Sequence, residues 1–492
     1  MNSEMLQRAC RFEEEHMKLI SPAERPCYHL TGGVGWINDP NGFSFYKGDY
    51  HLFYQYHPYS NEWGPMHWGH VRSKDLITWE RLPIIMAPDE SYDNDGCFSG
   101  SALELEDGRH LLMYTGVELV RAQDGSERRF QTQCIAIGDG MNYEKYAENP
   151  VIAGKDIPDG GSKVDFRDPK IWQEDGVFYA VVVNEDAEGN GRVLLYSSED
   201  GFHWNYCNVI DESKGKLGKM WECPDYFPLD GKQVLMVSPM GMMPEGDKFH
   251  VGHGTIYMVG SYDRSTHEFV REDVQPIDRG IDFYAPQTML APDGRRIMIG
   301  WMQAWTNSKF VPDGVKYFGQ LTVPRELSLR NGRMIQEPVR ELEKYRGESV
   351  GYENVSVSNE MSLDGISGRV LDMTVRIHPE EECRKFSMKV AKNEEYETSI
   401  IYDPEKRRLL VDRSACGYSY DIVHSRDILL EQEGKDLKLR LLMDRFSLEI
   451  FINDGIQTAS FTIYTPQTAD QITFSAEGRA VINIDKHELL FP

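Results

Sequence analysis

"SKDLITW" (73–79) and "SSEDGFHW" (197–204) share one spacing, Ser-x-Asp-x-x-x-Trp, a turn that enters an aromatic. Two weaker copies keep an aspartate and a ring four residues later: Asp139 with Tyr143, and Asp263 with His267. The aspartates at 75, 139, 200 and 263 step by 64, 61 and 63 residues. That period is longer than those of common propeller repeats but suits a four-stranded blade with one long loop. Strand-like stretches lie between the copies, among them "YHLFYQYHP", "HLLMYTG", "VFYAVVVN", "RVLLYSS" and "RIMIGWM". About five such units fill the chain to roughly residue 335, so the spacing predicts a five-bladed β-propeller over 28–335. The competing reading is a coincidence of common turn residues.

Beyond that point the texture changes. "QEPVRELEKYRGES" (336–349) is charged and helix-prone and reads as a helical connector. In "RVLDMTVRIHP", Leu371, Met373, Val375 and Ile377 fall on one strand face, and Asp372, Thr374 and Arg376 on the other. "FSLEIFINDG" repeats the pattern and ends in a turn signal, Asn-Asp-Gly. Alternation over 350–492 predicts a β-sandwich, making the whole chain an all-β protein. Residues 1–27 read as an N-terminal extension with a polar helix that stops before Pro22.

Bulk properties bound the function. At 492 residues the chain exceeds what one hydrophobic core supports, so two domains are expected. A net charge of −26 argues against nucleic-acid or anionic-membrane partners, which need a basic face. The N-terminus lacks the basic start and apolar core of a secretory signal, and no run approaches ~18 apolar residues. Eight cysteines are scattered without a CxxC pair, which suits reduced thiols and a cytoplasmic location; a chain shorn of its signal peptide would read the same.

Three acids keep unusual company. In "GWINDPNG" (35–42), Asp39 stands between Asn38 and a Pro-Asn-Gly turn signal. Those residues alone describe a tight turn. An aspartate that receives hydrogen bonds from an Asn side chain and turn amides is also held ionised, as a nucleophile requires. Asp168, in "DFRDPK", sits between Arg167 and Pro169 and is expected to stay ionised beside the guanidinium, binding hydroxyls or developing positive charge. Its plain reading is a surface ion pair before a turn. Glu222, in "MWECPDYF", has Met220, Trp221 and Cys223 as neighbours, and an apolar setting favours the protonated form that a general acid needs. Its plain reading is an acid on a strand whose other face is buried. An ionised and a protonated carboxyl together are what glycoside hydrolysis uses.

Aromatic and small residues add to this. "HPYSNEWGPMHWGH" (57–70) puts Trp63 and Trp68 into a Gly- and Pro-bearing loop, where an exposed ring can stack on a sugar face. Trp68 is expected in the core. "CFSGSA" (97–102) reads as a small hydroxylated turn that a ligand can approach closely.

"WINDPNG", "FSGS", "FRDP" and "WECPD", in this order and spacing, resemble the signature blocks of glycoside hydrolase family 32, the β-fructofuranosidases. The resemblance runs from about residue 28 to the C-terminus, with the last part matching only in texture. It implies a five-bladed propeller joined to a β-sandwich. It also implies a nucleophile at Asp39, an acid/base at Glu222, and at Asp168 a transition-state stabiliser that binds two fructosyl hydroxyls. Asn38, Gln55, Trp63, Phe98, Ser99, Arg167 and Cys223 match positions lining the same subsite, and "DFYAPQ" and "GWM" add Tyr284 and Trp301 as weaker matches.

The activity implied is retaining hydrolysis of a terminal non-reducing β-D-fructofuranosyl residue of sucrose or sucrose 6-phosphate. Alternatives are an exo-acting fructan hydrolase or a fructosyltransferase using the same acids, or a non-catalytic sugar-binding propeller, which would lack one of them. No cofactor or metal is expected. "SYDNDG" (91–96) imitates a calcium loop, but Ser91 replaces its first aspartate and Ala102 its bidentate glutamate. His67 and His70 lack the helix and third ligand of a zinc site. The expected partner is a small carbohydrate, met by a monomer or a homodimer.

Overall fold

The computed structural model describes residues 3–122, 124–246, 248–249, 252–306, 314–417 and 423–491. Up to Pro338, five antiparallel sheets follow one another along the chain. Their first strands are Gly35–Tyr46, Gly96–Glu104, Phe166–Glu174, Trp221–Leu229 and Tyr284–Leu290. Each of these lies against the first strand of the next sheet, and Tyr284–Leu290 returns to Gly35–Tyr46. Tyr317–Phe318 adds to the first sheet by pairing in parallel with Gly35 and Trp36.

The apolar runs follow from burial on both strand faces. Leu112 packs with Phe53 and Trp68 between the first two sheets, while its neighbour Leu111 packs with Ile171 and Ala180 towards the third. Val182 and Val181 divide in the same way between the second and fourth sheets, and Met298 and Ile297 between the fourth and first. A strand that feeds two cores has no solvent face and reads as a continuous hydrophobic run.

The repeated aspartates close the turn after the third strand in each of the first four sheets. Asp75 accepts from the amides of Ile77 and Thr78, Asp139 from Met141 and Asn142, Asp200 from Phe202 and His203, and Asp263 from Ser265. In the fifth sheet the equivalent connection is the two-residue turn Asn331-Gly332, both at positive φ, so no Asp-to-aromatic signature occurs there.

From Arg346 onwards a six-stranded and a five-stranded sheet share one core. Leu371, Met373, Val375 and Ile377 of the first face Phe386, Met388, Ile400 and Val411 of the second. Ser447–Ile452 departs from the expected alternation, because all six of its residues are buried. Leu448, Ile450 and Ile452 enter the shared core, while Glu449 turns the other way onto His29, Arg325 and the amide of Val323. Of the span 336–349, only Arg340–Tyr345 is helical, as a 3-10 helix, and strands reach it from both sides.

The N-terminal helix α1 (Glu4–Met17) is capped by Ser3, whose side chain accepts from the Leu6 amide. It buries Leu6, Ala9 and Glu13 against the first sheet. Glu13 accepts from the Tyr56 hydroxyl at 2.8 Å. Among the described residues, no helix is long and apolar enough to cross a membrane.

Candidate active site

"NDPNG" forms no tight turn. Residues 35–46 are one strand, and its ladder slips between Ile37 and Pro40 and again between Asn41 and Ser44. Nor is "CFSGSA" a turn; it is strand Gly96–Glu104, slipped between Phe98 and Gly100. Similar slips occur at Asp168-Pro169, Cys223-Pro224 and Ala285-Pro286. A proline has no N–H for the ladder and is tolerated in strands at bulges, where the bulge re-aims the neighbouring side chain. Asp168, Cys223 and Ala285 take positive φ there. The second sheet uses Gly100 instead, since a Cβ at that position would meet the Met113 carbonyl oxygen at 2.0 Å.

The bulged stretches of the five first strands converge. Asn41, Ser99, Asp168, Cys223 and Gln287, one from each first strand, line a polar cavity of about 10 Å³, the room of one water. A larger apolar cavity of about 240 Å³ lies elsewhere, between Tyr317–Gln320 and Tyr464–Gln467, and brings no pair of acids together.

Asp39 is buried and held on both oxygens. Asn38 Nδ2 donates to Oδ1 at 3.0 Å, and Ser99 Oγ donates to Oδ2 at 2.6 Å. Asn38 is itself fixed by Trp36 Nε1, 2.8 Å from its Oδ1. Cys223 Sγ lies 3.3 Å from Asp39 Oδ2 and 3.7 Å from Asp168 Oδ2, and its amide donates to Asp168 Oδ2 at 3.0 Å. Burial and the surrounding carboxylates push the Cys223 thiol well above its ordinary value, so it stays a donor between the two acids.

The electrostatics of the aspartates differ from the sequence expectation. Burial raises the Asp39 carboxyl above its ordinary value, and nearby Glu222 adds to the rise against the hydrogen bonds of Ser99, Asn38 and Cys223. Asp168 is pushed up to about 7, first by burial and then by Glu222 and Asp39, although Arg167 opposes this. Burial together with two neighbouring carboxyls outweighs a single guanidinium whose closer partners are other groups. Arg167 donates to Asp165 at 2.8 Å and to Glu222 Oε1 at 3.3 Å, while its Nε is 4.0 Å from Asp168. Burial works against the charge on Arg167, yet Glu222, Asp168 and Asp165 together raise its affinity for the proton.

The surroundings of Glu222 also differ. Adjacent strand residues face opposite sides, so Trp221 packs into the core between the third and fourth sheets, with Met220 in the same cluster. Glu222 meets Arg167 and Tyr284, whose hydroxyl donates to Oε2 at 2.6 Å. It is half-buried, more open than either aspartate.

Other expected residues fall around this centre. Gln55 is buried and donates to the Cys97 carbonyl. Trp63 is 43% exposed, edge-on to Phe98 with ring centroids 5.9 Å apart, whereas Trp68 is fully buried. Trp301 is fully buried, packed on Trp36 and Trp305 and paired in the ladder with Tyr284, so it offers a ligand no surface. In "SYDNDG", Asp93 is taken up by Lys145 and the Tyr114 hydroxyl.

Sequence reasoning missed several supports. Thr115 Oγ1 accepts from the Asp168 amide at 2.9 Å, and Gln131 and Met240 hold Arg167. Trp305 stacks on Trp36 behind Asn38. One signal was available: Pro40, Pro169, Pro224 and Pro286, each inside an otherwise strand-like run, mark bulges in four of the five first strands.

Comparisons with known proteins place nearly the whole chain in a family. Residues 29–338 match the model described as "Glycosyl hydrolases family 32 N-terminal domain", and residues 341–489 match "Glycosyl hydrolases family 32 C terminal". A sucrose-6-phosphate hydrolase of Zymomonas mobilis is 35% identical over 486 residues, covering 95% of this chain and 92% of its own. A raffinose invertase of Escherichia coli is 35% identical, covering 93% of each. Among solved structures, a mutant GH32 beta-fructofuranosidase of Bombyx mori in complex with sucrose aligns with a TM-score of 0.86 at 34% identity, covering 100% of this chain and 99% of its own. The order of the motifs, the convergence of their acids and the match along nearly the whole chain make this protein a member of glycosyl hydrolases family 32.

Proposed function

We propose that the protein is a retaining β-fructofuranosidase that removes the terminal non-reducing fructosyl residue from sucrose or sucrose 6-phosphate. The observation that carries this reading is the junction at Cys223, which holds Asp39 and Asp168 against one another while Arg167 ties Asp168 to Glu222. Asp39, oriented through both oxygens, attacks the anomeric carbon and forms a fructosyl ester. Glu222, on the more open side, gives its proton to the leaving oxygen. It then takes a proton from the water that cleaves the ester. Asp168 accepts hydrogen bonds from ring hydroxyls. Its proton affinity, raised in the free site, falls when those donors and the positive charge developing on the ring add to the Cys223 amide and Arg167.

The framework belongs to the same proposal. The five sheets act as the blades of a propeller over 28–335, followed by a sandwich over 350–492. Support comes from the cyclic contacts of the first strands, the shared cores between successive sheets and the boundary between the two family models. The sucrose-6-phosphate hydrolase and the sucrose complex among the relatives favour sucrose and its 6-phosphate, and the scattered cysteines suit a reducing cytoplasm. Initial rates on sucrose, sucrose 6-phosphate, kestose, inulin and levan, side by side, test this. The highest kcat/KM falls on sucrose or its phosphate. A higher value on inulin or levan makes the enzyme an exo-acting fructan hydrolase instead.

A further inference from the structure

We propose that α1 is a working part of the substrate site: Arg8 and Phe12 clamp Tyr59 and thereby set the position of Trp63. The inference rests on the reading of Trp63 as a wall of the sugar subsite. Trp63 rides on the connection between strands Asp49–His57 and His67–Ser73, and its exposed ring meets Phe98, next to Ser99 and hence to Asp39. A loop containing Gly64 and Pro65 has no ladder of its own to hold a large exposed ring in one place.

The loop's fixed points lie at its base, at Asn61 and at Tyr59. At the base, the Pro65 carbonyl is 3.2 Å from His57 Nδ1 and 3.1 Å from His67 Nδ1, and in mid-loop Asn61 donates to the Val315 carbonyl. Tyr59 meets the rings of His57 and His67 edge-on at 5.7 and 5.8 Å on its strand side, and the helix closes its other side. Phe12 meets the Tyr59 ring edge-on at 5.0 Å, and the Arg8 guanidinium lies 5.3 Å from its centroid. Phe12 is in turn stacked on His16 at 3.8 Å. The helix is pinned to the same strand that feeds the loop, through Glu13 and Tyr56, and to the fourth strand of that sheet through Cys10 and the Ile84 carbonyl. A continuous path of packed side chains therefore runs from α1 through Tyr59 to the Trp63 loop. A subsite wall held in place before the sugar arrives spares the ordering cost at binding, so its loss appears in KM before kcat.

Arg8 and Phe12 are positioning residues, and the test uses the full chain with sucrose. Phe12→Ala, and separately Arg8→Ala, whose side chain is exposed and leaves the core intact, are each made with and without Trp63→Ala. The expected result is a rise in KM of roughly 3–10-fold for Phe12→Ala, smaller for Arg8→Ala, with kcat within about twofold. In the Trp63→Ala background neither substitution adds to KM, because the path then leads to nothing. The inference is overturned if the KM effects persist undiminished without Trp63, or if the substitutions lower only thermal stability and leave KM unchanged. If Trp63→Ala itself leaves KM unchanged, the fault lies with Trp63 as a subsite wall, and the proposed role of α1 falls with it.

Discussion

Ser99 and Asn38 each give one hydrogen bond to Asp39, and those bonds oppose the burial that would otherwise keep the carboxyl protonated. At the scale of single residues this makes a prediction about pH. Asp39 must be ionised to attack, so activity falls on the acid side as its carboxyl takes a proton. Ser99→Ala removes the opposing bond at Oδ2 and raises the carboxyl further, moving to higher pH the acid limb of the kcat profile, which reports the complex in which bound sugar has lowered Asp168. A profile of Ser99→Ala that superimposes on the parent's would show that Asp39 does not control that limb. The three acids stood out in the sequence through their immediate neighbours and through the order of their four motifs, each of which is bland alone. Their electrostatics were not legible there. Thr115, Gln131 and Met240 come from other parts of the chain, and the burial and mutual approach of Asp39, Asp168 and Glu222 that raise Asp168 against expectation exist only after folding.

At the scale of elements, the bulge does the work that a tight turn was expected to do. Proline does this in four first strands, and in the second strand a glycine allows the backbone to approach Met113. Gly100→Ala places a methyl 2.0 Å from the Met113 carbonyl oxygen, a backbone atom that cannot swing aside. It costs about 2–4 kcal/mol of stability and displaces Ser99 from Asp39, so activity drops along with the unfolding midpoint. Urea unfolding followed by tryptophan fluorescence measures the first effect. A Gly100→Ala protein of parental stability would contradict the geometry described for this strand. Strand existence was readable from apolar runs, and so were four of the turn aspartates. The fifth turn was not, because Asn331-Gly332 solves the same connection with two residues. Ser447–Ile452 misled for a related reason: period-2 reasoning assigns Glu449 to solvent, whereas a second packed unit covers it.

At the scale of the whole molecule, two sets of buried histidines give stability a pH dependence of opposite sign. His29 lies between Asp444 and Glu449, at 3.0 and 2.9 Å, where the N-terminal sheets meet the C-terminal pair. Burial disfavours its charge, but the hydrogen bonds and charges of the two acids win and raise it to about 9. A raised histidine contributes stability fully present below its unfolded value near 6.5 and lost as pH rises through 9, on the order of 3 kcal/mol. His51, His70 and His110 cluster between the first two sheets, with His51 and His110 lowered by burial to about 4 and about 3. Their neutral forms are stabilising above about 6.5, and that contribution is lost as pH falls below it. The melting temperature is therefore highest near neutrality and falls on both sides, and His29→Gln flattens the alkaline side alone. Melting curves between pH 4 and pH 10 read this directly. An alkaline decline that survives His29→Gln unchanged would remove His29 from the account. The two-part organisation was legible from the change of texture near residue 336, but the charged seam between the parts was not, since His29 and Glu449 are far apart in the chain.

On the proposed route, Asp39 attacks the sugar and Glu222 serves as acid and then base. Such a route passes through two inversions and retains configuration, and it places the two carboxyls ~5–5.5 Å apart, whereas direct attack by water needs ~6.5–9.5 Å. NMR of the first-formed fructose, recorded before the anomers equilibrate, tests this most directly. The account predicts β-fructofuranose as the initial product from sucrose. Initial release of the α anomer would mean that water attacks the sugar itself and that Asp39 is not the nucleophile.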